Sequence, residues 1–148
     1  MAASPASPNG SVSRAQINLA LLSVRIGCGI AFIYHGAGVL FGSFGGPGPV
    51  AFASGMHAPA IVGYLVGLAQ VGGGLAVLTG ILPRVGAACI CVVMIGAIVL
   101  VHWPHGYNVG KGGMEYALTQ LLIAFALLIA GAGDYSLGAF LPAGLRNL

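Results

Sequence analysis

An all-α, integral membrane four-helix bundle is the fold class this chain predicts, and three observations carry that reading. Of 148 residues, 58% are hydrophobic and 5% charged, against about 25% charged in soluble domains. Four apolar runs, over about 17–40, 60–82, 85–101 and 116–132, each come near the roughly 20 residues that cross a bilayer. None alternates strictly between polar and apolar, so helices rather than barrel strands must satisfy the backbone in hydrocarbon. The four spans use up the chain: residues 1–16 read as a flexible N-terminal tail, 17–137 as a single four-helix transmembrane domain, and 138–148 as a C-terminal tail. The lipid bilayer is then the first partner. The five basic residues are too scattered to serve a nucleic acid.

Residues Met1 to Ser13 carry no charge and almost no bulky side chain, so they bury too little to offset ordering. The run after Arg14 exceeds the roughly 7 to 15 residues of a cleavable signal core, and the first span reads as an uncleaved anchor. Within it lies Arg25, about eight residues or roughly 12 Å from the inner end. A guanidinium there costs several kcal/mol unless it snorkels or finds partners. Steps of three and four residues put Arg25, Cys28, Phe32 and His35 on one broad face, while Gly27 and Ala31 offer a small-residue strip for a neighbouring helix.

From Phe41 to Pro59 the chain is rich in Gly and Pro, which predicts an outer loop between the first two spans. It keeps Phe41, Phe44, Phe52 and Met56, so it suits a segment lying in the interface or dipping back into the bundle. The second span carries Gly63, Gly67 and Gly72-Gly73-Gly74, which let backbones touch. Its Gln70, at mid-depth, is the nearest neutral hydrogen-bonding partner for Arg25, although Asp134 reaching inward or a bound ligand would also serve. The third span is plainer; Cys89 and Cys91 are two apart and Cys28 stands alone, so these thiols read as small apolar residues rather than a redox pair.

The stretch from His102 to Tyr116 concentrates what polarity the chain has: His102, Trp103, His105, Tyr107, Lys111 and Glu115. Trp103 and Tyr107 suit an interfacial aromatic belt. Glu115 falls in the first turn of the fourth span, where the helix dipole favours a carboxylate. After that span, Gly133 reads as a helix stop. Arg14, Arg84 and Arg146 fall on one side of an up-and-down path and Lys111 on the other, which places both termini in the cytoplasm.

Depth groups the candidate site. His35 lies about five residues below the outer end of its span, His102 at the end of its own, and Glu115 at the start of the fourth, so the three can meet in one polar pocket. The bland alternative is a satisfied cluster that merely orients the helices. Haem ligation would need His35 with His102, a single pair without other support, and haem is disfavoured. Four histidines with no acid or thiolate at ligand spacing other than Glu115 predict no metal site.

Arg25 in the first span, Tyr34-His35-Gly36 at its end, Gly67 to Gly74, Leu82-Pro83-Arg84, the His102 to Tyr107 turn, Gly112-Gly113-x-Glu115-Tyr116 and Gly133-x-Tyr135-Ser136-Leu137 together resemble the DoxX family of small bacterial membrane proteins. The resemblance covers about residues 17 to 137. It implies a multi-pass protein of the bacterial inner membrane, in a family whose better understood members are membrane subunits of thiosulfate:quinone oxidoreductase or partners in redox-defence complexes. Two positions depart from the family pattern: Ala37-Gly38-Val39-Leu40 lacks a lysine often found after His-Gly, and Gln70 stands where an acid is common. Both departures remove ionisable groups.

Two functions are therefore expected. In one, the chain is a membrane subunit of a quinone-linked oxidoreductase. His35, Arg25 and Gln70 then line a quinone pocket, and Glu115 with His102 exchanges protons with outer water. In the other, it is a non-catalytic membrane anchor or assembly subunit that docks and stabilises a protein partner or a second copy of itself.

Overall fold

The computed structural model describes residues 12–142 together with Gly144 and Leu145. Most of the expected N-terminal tail, and Arg146, on which part of the orientation argument rests, lie outside the described residues. Among the described residues the regular structure is entirely helical: α1 (Arg14–Phe41), α2 (Gly48–Gly55), α3 (Ala60–Thr79), α4 (Pro83–Ala97) and α5 (Glu115–Ala130), with short 3-10 turns between them. Three helical stretches, Arg14–Phe41, Ala60–Thr79 and Pro83–His105, are long and apolar enough to cross a membrane, so this is a multi-pass membrane protein. α5 is as apolar but shorter, at 16 residues.

α1 begins at Arg14, three residues before the apolar run. Ser13 Oγ accepts from the Gln16 backbone N–H at 3.2 Å, and Gln16 Oε1 accepts from the Ser13 N–H at 2.8 Å, a complete capping box. The helix therefore absorbs the last residues assigned to the tail, because a cap is polar and hydropathy does not register it. At the other end Gly42, at φ 69°, closes the helix in the left-handed conformation.

The Gly/Pro-rich connection is not a loop throughout. Ser43–Gly45 makes a 3-10 turn and α2 folds over Gly48–Gly55 with Pro49 in its first turn. This short helix lies against α1 and α3. Ala53 is fully buried, Gly46 meets the Gly38 backbone, and Gly63 meets Pro49 too closely to accept a Cβ. Glycine is needed at these contacts for close approach, which composition alone reads as loop.

α1 packs on α3, α3 on α4 and α4 on α5, while α1 and α5 touch sparsely. The α1–α3 seam is made by glycines: a Cβ on Gly29 would stand 2.9 Å from the Gly74 carbonyl oxygen, and one on Gly36 would stand 2.7 Å from the Val71 nitrogen. A second contact sets Gly73 against Gly86 on α4, where a Cβ would come within 3.0 Å of the Gly86 carbonyl. Between the four long helices lie Cys28, Phe32, Val77, Ile90, Met94 and Leu127. Gly27 does not join the seam, since a Cβ there meets nothing within 4 Å.

Arg25 explains the rotation of α1. It is 1% exposed and pairs with neither Gln70 nor Asp134. Nε donates to the Val77 carbonyl at 2.8 Å, one terminal nitrogen to Leu78 at 2.8 Å, and the other to Ala132 at 2.9 Å and Tyr135 at 2.7 Å. These carbonyls belong to the last turn of α3 and the chain just past α5, where helix ends leave acceptors without intrahelical donors. The guanidinium thus closes the C-terminus of α3 and ties to it the chain that follows α5, and its charge complements the α3 dipole. Gly29 and Gly36 follow Arg25 on the same face of α1, whereas Gly27 lies across the helix from it.

At the same end, Asp134 is clasped by α1. Arg14 donates to its two oxygens at 2.7 and 3.0 Å, Asn18 Nδ2 donates at 2.8 Å, and the Asp134 N–H returns a bond to Asn18 Oδ1 at 3.1 Å.

Candidate functional site at the end of the bundle opposite Arg25

The end opposite Arg25 holds the aromatic and imidazole groups. α1 carries Tyr34 and His35 in its last two turns. Tyr34 stacks on Phe44 with centroids 4.7 Å apart and planes at 19°, and meets His35 edge-on at 5.6 Å. His35 in turn faces Tyr116, in the first turn of α5, at 5.9 Å. A run of four rings therefore joins the 3-10 turn after α1, α1 itself and the start of α5, across the sparsely contacting α1–α5 pair.

His35 is exposed along the flank of α1 even though Phe32, one turn deeper, is 3% exposed. Its ring nitrogens have no hydrogen-bond partner among the described residues. A histidine on the edge of the buried stripe, rather than in it, keeps its nitrogens available while its ring rests on a tyrosine.

Glu115 sits beside Tyr116, and the chain before it is a closed turn. Gly113 N–H donates to the Asn108 carbonyl at 2.9 Å, Met114 N–H to Gly106 at 2.9 Å and Glu115 N–H to Tyr107 at 2.9 Å. The Glu115 carboxylate accepts from the Val109 N–H at 3.1 Å, and Lys111 makes no ion pair with it among the described residues. Gly113 packs so tightly on Gly106 and Tyr107 that a Cβ has no room.

His102 lies in a π-helical turn, Ile98–His102, that widens the end of α4 before the 3-10 turn Trp103–His105. Its Nδ1 is 2.7 Å from the Gly112 carbonyl, and His105 Nδ1 is 3.0 Å from the Val101 carbonyl. A carbonyl only accepts, so each Nδ1 carries the proton it donates, and neither Nε2 has a hydrogen-bond partner among the described residues.

The pocket expected from His35, His102 and Glu115 is thus divided. His35 reaches α5 through Tyr116, the neighbour of Glu115, while His102 and Glu115 are held by backbone groups of the outer turn. Arg25 stands at the far end with its donors engaged. Gln70 remains near the site: its stem lies against Gly36, where a Cβ would come within 2.8 Å of Gln70 Cβ. Gln70 is 7% exposed and its Oε1 is buried without a partner; Gln120, 9% exposed and one turn below Tyr116 on the same face of α5, is in the same condition. An unsatisfied buried amide oxygen costs about 1–3 kcal/mol, so these two acceptors, one beside Gly36 and one a turn below Tyr116, would gain from a donor.

Tyr116 and Gln120 stand in the sequence as a motif residue and part of a mildly polar stripe on the fourth span, not as site candidates. The signal was the i, i+4 spacing of two polar-tipped residues directly after the only outer carboxylate.

The DoxX family profile covers residues 20–103, more than half of the chain. A curated relative, "Putative oxidoreductase CatD" of Bacillus subtilis (strain 168), is 26% identical over 126 residues, spanning 85% of this chain and 90% of its own. No solved structure gives a significant match. The outer motif carried by α1, the glycine seam on α3 and the Leu82-Pro83-Arg84 connection all fall inside the matched region, and the chain belongs to the DoxX family.

Proposed function

We propose that this chain is the membrane subunit of a quinone-linked oxidoreductase in the bacterial inner membrane, with four crossing helices and both termini in the cytoplasm. The observation that carries the reading is the His35 imidazole, without a hydrogen-bond partner among the described residues, set against Tyr116 where α1 and α5 part. A relative named as an oxidoreductase supports the redox class, and Arg14 and Arg84 against Lys111 support the orientation. α5 completes the fourth crossing by the packing of its buried face on α4.

In this reading His35, Tyr116, Gln70 and Gln120 would hold a quinone where α1 and α5 part. It supplies two-electron, two-proton chemistry, the electrons coming from a partner protein. His35 and the Tyr116 hydroxyl would hydrogen-bond its oxygens. Gln70 and Gln120 accept from hydroxyl protons. Glu115 and His102, at the water side, relay protons.

A second reading is favoured by Arg25. The most costly residue in the span is bonded to four backbone carbonyls, as befits an architectural element in a non-catalytic anchor for a partner or second copy.

The test is gentle purification from native membranes, with mass spectrometry of extracted quinones and of co-eluting proteins. Stoichiometric quinone that is lost in a His35→Ala, Glu115→Gln variant of normal abundance supports the first reading. A protein partner with no quinone, unchanged by those substitutions, replaces it with the second.

A further inference from the structure

Two arginines stand at the inner end of the bundle in opposite conditions. Arg25 spends donors on four carbonyls. Arg84, in the first turn of α4, makes one hydrogen bond among the described residues, from a terminal nitrogen to the Ile129 carbonyl at 3.1 Å. Its Nε is buried with no partner. The guanidinium lies along Gly131, where a Cβ would stand in ordinary contact at 3.7 Å from Nε.

Beside it opens a cavity of about 310 Å³ whose wall includes Pro83, Arg84, Gly131, Gly133, Ser136 and Ala139. α4 starts here with no side-chain cap: its N-cap is Leu82, and Pro83 follows at the first helical position. The first-turn N–H groups of a 15-residue helix are therefore uncapped beside an arginine with donors to spare. Asp134 is also on the wall, but both of its oxygens are taken by Arg14 and Asn18, so its charge is matched within the protein. A cavity, an underused guanidinium and a positive helix end converge, at the end of the spans that carries Arg14 and Arg84.

We infer that this cavity is a phosphate site for the headgroup of an anionic phospholipid. A phosphate oxygen accepts from Arg84 in the forked geometry that guanidinium offers, and the α4 N-terminus faces the same charge. Basic pockets between transmembrane helices at this level take anionic headgroups. The acyl chains then lie on the apolar flanks of α4 and α5.

The experiment uses the full-length protein in a neutral detergent, with native mass spectrometry and thermal unfolding as readouts. Three additions are compared: phosphatidylglycerol, phosphatidylcholine and inorganic phosphate. The expected result is retained phosphatidylglycerol and a raised unfolding midpoint, with neither from phosphatidylcholine. Retention should fall about tenfold or more in Arg84→Gln, the scale of one lost charge-assisted bond. A parallel variant, Ala139→Leu, fills the exposed rim of the cavity without touching Arg84 and should reduce retention while the unliganded midpoint holds. This keeps the test sound if Arg84→Gln folds poorly. An equal shift with inorganic phosphate alone would overturn the lipid assignment in favour of a soluble phosphate anion. Retention of both lipids alike, or retention unchanged in both variants, would overturn the site itself.

Discussion

Arg25 Nε donates to the Val77 carbonyl at 2.8 Å across the α1–α3 interface, and this bond ties the rotation of the first span to the end of the third. Of the three other bonds of that guanidinium, one closes the Leu78 carbonyl at the end of α3 and two hold the Ala132 and Tyr135 carbonyls of the chain after α5. The charge is thus accommodated without a counter-ion.

Arg25→Leu should destabilise the protein by roughly 3–5 kcal/mol, because the carbonyls lose their donors in a site closed to water. Arg25→Lys should recover part of this, since an ammonium keeps the charge but not the planar fork. Denaturant unfolding in detergent micelles reads both. Equal stability of wild type and Arg25→Leu would contradict the capping role.

Gly29→Ala should cost roughly 1–3 kcal/mol through overpacking, because its Cβ would stand 2.7 Å from Leu78 Cβ and 2.9 Å from the Gly74 oxygen. Gly27→Ala, facing open space, should be neutral or gain about 0.5–1 kcal/mol from helix propensity. The contrast between two glycines two residues apart is what matters. A similar response at both positions would mean α1 is rotated differently.

The hydrogen bonds from Arg14, then Asn18, hold the Asp134 carboxyl below the usual carboxylate range. Its contribution to stability is present above that range and disappears as pH falls through the lowered folded value. Arg14 stays charged throughout, so the loss is one-sided. Asp134→Asn should flatten the acid limb of a stability-against-pH profile. The change should be small, because the side chains are 84% and 49% exposed. A profile that keeps its full acid slope in Asp134→Asn would show that another group sets it.

Gln70→Leu and Gln120→Leu separate stability from function. Each removes a buried amide oxygen that lacks a donor, so stability should hold or rise by roughly 1 kcal/mol. Quinone recovered with the protein should fall, because the acceptors facing its hydroxyls are gone. If stability drops in both and quinone retention does not, the two amides are structural.

Much of the architecture was written in hydropathy. The apolar runs place α1, α3, α4 and α5 within a few residues, because a bilayer demands length and apolarity of any spanning helix and both are visible one residue at a time. The motifs around His35, Leu82-Pro83-Arg84 and Glu115-Tyr116 were equally legible, and the family followed from them.

Other features depend on what lies across a contact. Hydropathy reads Gly46 and Pro49 as loop, and only the close approach of Gly38 and Gly63 shows why a helix needs them there. Gly27-Ala31 and Gly29-Gly36 look alike as small-residue strips, and the choice between them fell to Arg25, which had to reach the carbonyls of Val77, Leu78, Ala132 and Tyr135. Those acceptors are backbone atoms 52 to 110 residues away, with no side-chain signature to mark them. For the same reason the sequence offered His35, His102 and Glu115 as one cluster, while the folded chain gave His102 and Glu115 to backbone groups of their own turn and left His35 to Tyr116. Composition and period set which segments enter the membrane; which polar groups then meet is decided by backbone donors and acceptors that become neighbours only after the helices pack.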